Sequence, residues 1–153
     1  MAKFHFRLTT LLRLRKAERD ERRLELSEAL RAADILQGQW ELVRAEWEWL
    51  KGHCRKAAGP GVVDVDRLLE AQRYELTLRS RQQRLTEQRA RLDEEIERRR
   101  TALTAADREV KMLEKLRDHQ AARHRGEEER RAIKQLDEVA GQRAVAAMGR
   151  RDS

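Results

Sequence analysis

Large aromatic side chains are scarce in this chain, at 4% of 153 residues, and there is one proline, Pro60, and one cysteine, Cys54. A lone cysteine cannot form an internal disulfide, which favours a reducing compartment. Long apolar runs are also missing. The longest stretch without a charged residue is Ala57–Val63, far short of the roughly 20 residues that span a bilayer. The start, Met1-Ala2-Lys3-Phe4, lacks the apolar core of a signal peptide, so a cytoplasmic protein is expected. So few bulky apolar groups exclude a thick globular core. Disorder is the other outcome of such a composition, but disordered chains are rich in Pro, Ser and Gly.

What is present is Arg, Ala, Leu and Glu, all strong helix formers, with 41% of residues charged. Extended helices packed along a narrow seam follow. The net charge of +7 comes from 35 basic and 28 acidic groups. Residues 1–61 hold 13 basic and 9 acidic groups, and residues 62–153 hold 22 and 19, so no basic tail is set apart. Nucleic-acid binding normally shows a clustered basic stripe. Arg98-Arg99-Arg100 and Arg130-Arg131 are instead flanked by Glu94, Glu95, Glu97 and Glu127–Glu129, as on a solvated helix face. No specific nucleic-acid partner is expected.

Gly59-Pro60-Gly61, preceded by Gly52, is the strongest punctuation and predicts a turn over about 53–63. A first helix is expected over about 4–52, a second over about 64–125, and a helical or frayed tail over 126–153. In the first helix, Leu12, Leu26, Ala33, Trp40 and Trp47 form one heptad row, and Leu8, Ala29, Leu36, Val43 and Leu50 a second, offset by three. Arg15, Arg19 and Arg22 interrupt them, which predicts poor packing near residues 15–23. Asp64 or Asp66 can cap the second helix. Its rows read Ala71, Leu78, Leu85, Leu92, Arg99, Ala106, Leu113 and Glu75, Gln82, Arg89, Ile96, Leu103, Val110. That pattern predicts a polar seam near the turn and a firmer one from Leu92 to Leu116. Thr104 with Asp107 resembles a capping box, but the apolar rows pass through without a shift, so the helix is expected to continue. Glu75–Arg79, Glu87–Arg91, Glu94–Arg98 and Asp107–Lys111 have the spacing of ion pairs that each add about 0.2–0.5 kcal/mol to a solvated helix. Two helices joined by a short turn fold back antiparallel. The expected fold is all-α, a long two-helix coiled-coil hairpin in a single domain. Pairing of the seams between two chains is the alternative topology.

Catalytic and cofactor sites find little support. His53-Cys54 lies at the turn, whereas His119 and His124 lie in the far tail, so a metal-ligand set cannot converge. None of the seven glycines builds a phosphate cradle. Cys54 with adjacent His53 does not supply a nucleophile–base geometry. Trp40 and Trp47 belong to a seam row, which favours burial over base stacking, while Trp49 lies off the row. No enzyme, cofactor or metal is expected.

Both ends carry more detail than heptads require. The start reads Phe4-x-Phe6-x-Leu8-x-x-Leu11-Leu12-x-Leu14-Arg15, then Glu18. The distal part reads Lys111-x-Leu113-Glu114-Lys115-Leu116, then Leu136-Asp137-Glu138-x-Ala140. In this order, around a Gly-Pro-Gly turn, these blocks resemble the FliJ family of bacterial flagellar export proteins. The resemblance implies a helical hairpin similar to a rotary-ATPase stalk. Its paired ends would enter a hexameric flagellar export ATPase, its other partners being the cytoplasmic domain of the export-gate membrane protein and export chaperones. It would act peripherally at the inner face of the membrane. Carried over, the ATPase-facing residues are Phe4, Phe6, Leu8, Leu11, Arg15, Leu113, Leu116, Asp137 and Glu138. Tyr74 and Leu78 fit the aromatic-x-x-x-leucine associated with gate contact. The equivalent stalk of a virulence-type secretion system, or a basic scaffold for RNA or another polyanion, are the alternatives.

Overall fold

The computed structural model describes residues 2–151, which form two α-helices and no strand. Helix α1 spans Thr9–Ala57 (49 residues) and α2 spans Val65–Arg151 (87 residues). The fold is an all-α helical hairpin. By internal contacts the chain divides into Arg19–Ala105 and a second unit of Met1–Glu18 with Ala106–Ser153. The division falls in the arginine interruption, where Leu12 and Ala29 are the nearest buried residues of α1 on either side.

The turn is built as the glycines and proline suggest. Ala58 and Gly59 amides donate to the carbonyls of Cys54 and Lys56, closing α1, and Gly61 adopts φ +136°, a conformation that costs glycine least. Asp64 then opens α2: its Oδ1 accepts from the Arg67 amide at 3.2 Å, satisfying an otherwise free donor of the first turn. α2 runs through Thr104 unbroken, the Thr104 hydroxyl donating to the Arg100 carbonyl.

α1 starts at Thr9, not near residue 4. Phe4 and Phe6 explain this. Residues two apart point to nearly opposite sides of a helix but share one side of an extended chain. A non-helical arm brings both rings toward α2, and a helix would have exposed one of them.

The Arg19–Ala105 unit holds two apolar clusters. Val43, Leu50, Ala71, Leu78 and Leu85 form the larger, with Leu36, Trp40, Trp47, Cys54 and Tyr74 packed against it. Ala29, Ala33 and Ile96 form the smaller, with Leu26 and Leu92. The best-packed stretch therefore lies beside the turn, reversing the expected polar-near, firm-far gradient. Glu75 and Arg89 turn to partners on their own helix, Arg79 at 2.6 Å and Asp93 at 2.9 Å. The indoles of Trp40 and Trp47 supply apolar bulk from the facing helix. This has a cost, since Trp47 Nε1 is buried without a hydrogen-bond partner among the described residues. Farther along, Arg99 stands in an apolar row and bridges the helices, donating to the Glu25 carbonyl and, at 2.8 Å, to Glu95. That hydrogen bond, with Arg98 close by, holds the Glu95 carboxyl below its ordinary pKa despite some desolvation. Of the expected surface pairs, Glu75–Arg79 and Asp107–Lys111 form, whereas Arg98 turns to Glu95 at 2.6 Å.

Candidate partner-binding site

The unit comprising the N-terminal arm and residues 106 onward gathers most of the residues singled out at the chain's two ends. Phe6 is buried with Leu12 and Val110, and Phe4 and Leu113 pack against them. The Thr9 hydroxyl donates to the Phe6 carbonyl at 2.6 Å, fixing the bend from arm to helix. Farther out, the Phe4 ring lies 5.7 Å from the His124 ring, and His124 Nε2 is 3.1 Å from the Ala2 carbonyl. The heptad rows give His124 no role. Nothing in a heptad pattern indicates that a non-helical arm will reach it.

Around this anchored arm the surface is leucine-rich. Leu8, Leu11, Leu14 and Leu116 are 37%, 36%, 55% and 38% exposed, values high enough to offer apolar contact. Arg15 is held at its edge by Glu18 at 2.9 Å and Glu109 at 3.1 Å, and Lys16 pairs with Glu114 at 3.4 Å. The hydrogen bond to Glu18, then the charge of Glu109, raises the Arg15 pKa further, so its charge is permanent. The unit thus packs Phe4 and Phe6 with Leu113 and ties Arg15 to Glu109, while Leu8, Leu11 and Leu116 lie exposed within the same unit. Asp137 and Glu138 are not part of this gathering. They lie exposed on α2, and the 21 residues from Leu116 to Asp137 correspond to about 32 Å of helix.

Tyr74 and Leu78 sit in the other unit and differ in kind. Leu78 has no exposed surface, so in this conformation it can only support its helix from beneath. Tyr74 is half-buried, donates from its hydroxyl to Glu46 Oε2 at 2.6 Å, and meets the Trp49 ring edge-on at 6.3 Å. Arg81 donates to the same Glu46 oxygen at 3.1 Å. Trp49 is 61% exposed and stacks on His53 at 5.0 Å. The hydrogen bond to Glu46, then desolvation and the Glu46 charge, pushes the Tyr74 phenol above its ordinary pKa, with Arg81 opposing. The protonated phenol is the donor, so this contribution is present below the ordinary phenol pKa and lost as pH rises through the raised one. Tyr74 is the sole tyrosine. Phenolate absorbance should therefore titrate above the ordinary range in one step, and Glu46→Gln should bring the midpoint back down.

Among the described residues no group of three potential metal ligands occurs, and no helix is long and apolar enough to cross a membrane. Compared with known proteins, residues 4–149 match the family model described as "Flagellar FliJ protein". No curated protein and no solved structure matches.

Proposed function

The chain belongs to the FliJ family, a non-enzymatic component of the flagellar export apparatus, and on that premise we propose that it is the stalk that engages and stimulates the hexameric export ATPase. The observation that carries this reading is the anchored aromatic arm. It spends two phenylalanines on fixing the approach of α1 to α2, while leaving Leu8, Leu11, Leu14 and Leu116 on the surface. A rigid mount with an apolar rim is what a partner-binding end needs, because order established beforehand reduces the entropy lost on docking. The ATPase supplies the chemistry. The stalk can influence turnover only by binding alternate ring states with unequal affinity.

The second part of the proposal concerns the export gate. Tyr74, backed by buried Leu78 and flanked by exposed Trp49, marks the face that meets the cytoplasmic domain of the gate membrane protein. Attachment there places the chain peripherally at the inner face of the membrane, where export chaperones are its further partners.

The test is to add the purified chain to its cognate export ATPase and follow both binding and turnover. Turnover should rise with the wild-type chain, and Leu11→Asp with Leu116→Asp should return it to the basal rate. Absence of both binding and any change in turnover would overturn the reading.

A further inference from the structure

Residues 126–151 of α2 carry an apolar stripe that nothing in the hairpin covers. Ile133, Leu136, Ala140, Ala144 and Ala147 recur at intervals of three and four residues, which places them on one helix face. All five are exposed, Ile133 at 59% and Leu136 at 69%. We propose that this stripe pairs antiparallel with the same stripe of a second copy of the chain, in a register centred on Ala140.

Two gradients along the segment point to a second copy in this orientation. The first is size. The large members, Ile133 and Leu136, precede the small ones, Ala140, Ala144 and Ala147. Centring an antiparallel pair on Ala140 sets Ile133 level with Ala147, and Leu136 level with Ala144. Large then meets small at the four outer layers, and the two Ala140 residues let the helices approach closely at the middle. A parallel pair would set Ile133 against Ile133 and leave the alanine layers loosely filled.

The second gradient is charge. Residues 126–138 hold five carboxylates and three bases, whereas residues 139–151 hold three bases and no carboxylate. Antiparallel pairing puts the acidic half of each copy beside the basic half of the other, with Glu129 level with Arg151. Parallel pairing would place like halves together. Size and charge are independent properties of the sequence, and both select the same orientation.

The contact is small. A strip over residues 129–151 is roughly 35 Å long and about 10 Å wide on each helix, well below the ~1,200 Å² of total burial in stable complexes. The dimer is therefore reversible and depends on concentration. Most helical stability in proteins comes from packing of an apolar face rather than from propensity, and Gly141 and Gly149, whose absent Cβ atoms would meet nothing within 4 Å, lower the propensity of this segment. Pairing supplies the tertiary contact that holds the segment helical.

The experiment uses the full chain. Light-scattering mass should rise from one chain toward two as concentration increases. Ala140→Glu, which sets like charges against each other at the centre, should keep the mass at one chain. Gln142→Glu, on the opposite face, should leave the rise intact. Circular dichroism should be the same for both variants when dilute, since neither position packs in the single chain. Orientation is read in a Cys54→Ser background by mixing Ile133→Cys chains with Ala147→Cys chains under mild oxidation. Disulfides between the two kinds of chain are expected. Disulfides confined to chains of one kind would overturn the antiparallel register. A mass of one chain at every concentration, or a stripe protected only when the export ATPase is added, would overturn self-pairing altogether, and neither result bears on whether the chain stimulates that ATPase.

Discussion

Leu78→Ala should cost the Arg19–Ala105 unit about 2–3 kcal/mol, the low end of the ~2–5 kcal/mol seen for buried leucines. Leu78 is 0% exposed at the centre of the largest apolar cluster, against Val43, Leu50, Ala71 and Leu85. Transfer of a leucine side chain from water contributes about 1.5–3 kcal/mol, and the vacated space adds a cavity term where the surroundings cannot collapse. In a two-helix seam they partly can, since one side of every layer is solvent, which sets the lower estimate. Urea unfolding followed by tryptophan emission reads this directly, because Trp40 and Trp47 pack on the same cluster. Leu76→Ala, 66% exposed on the same helix, should shift the curve by less than about 0.5 kcal/mol. Hydrogen exchange at Val110, in the other unit, should be little altered by Leu78→Ala. Equal destabilisation at Val110 would mean that the two units unfold together.

The seam was legible because heptad spacing is a direct image of which side chains can meet. Leu12, Ala29, Ala33, Val43, Leu50, Ala71, Leu78, Leu85, Ile96 and Val110 all lie in the rows read from the sequence, and all are buried. What the rows could not convey was the quality of packing. A count of polar residues in α2 predicted a weak seam near the turn, but Trp40 and Trp47 belong to the facing helix, and their size decides the outcome. Arg99 had the opposite history: it reads as a flaw in an apolar row, yet it finds the Glu25 carbonyl across the seam, a partner that heptad spacing cannot name. At the candidate site the aromatic and leucine blocks were visible, but the non-helical arm was not. Its signal was the two-residue spacing of Phe4 and Phe6, a strand-like period in front of a helical one. Asp137 and Glu138 stand out only through their motif, and about 32 Å of helix separates Asp137 from Leu116.

Phe6→Ala should release the arm without unfolding the helices. Loss of a buried phenyl costs about 3–5 kcal/mol in a closed core. The remaining ties of the arm are the Thr9 hydroxyl on the Phe6 carbonyl, His124 on the Ala2 carbonyl, and the Phe4–His124 ring contact. Each hydrogen bond contributes about 0.5–1.5 kcal/mol net, and ring contacts of this kind about as much. Their sum is comparable to the loss, and ordering each residue of the arm costs about 1–2 kcal/mol against it, so detachment wins. Helical content should stay constant, because residues 2–6 are not helical. Protease cleavage before Thr9 should accelerate, while Phe6→Leu, which keeps an apolar anchor, should resist cleavage nearly as well as wild type. If the anchored arm is the working end, Phe6→Ala should also lose most of the ATPase stimulation that Phe6→Leu retains. Full stimulation by a chain whose arm is demonstrably free would mean that Leu11, Leu14 and Leu116 make the contact without needing the arm to fix α1 against α2.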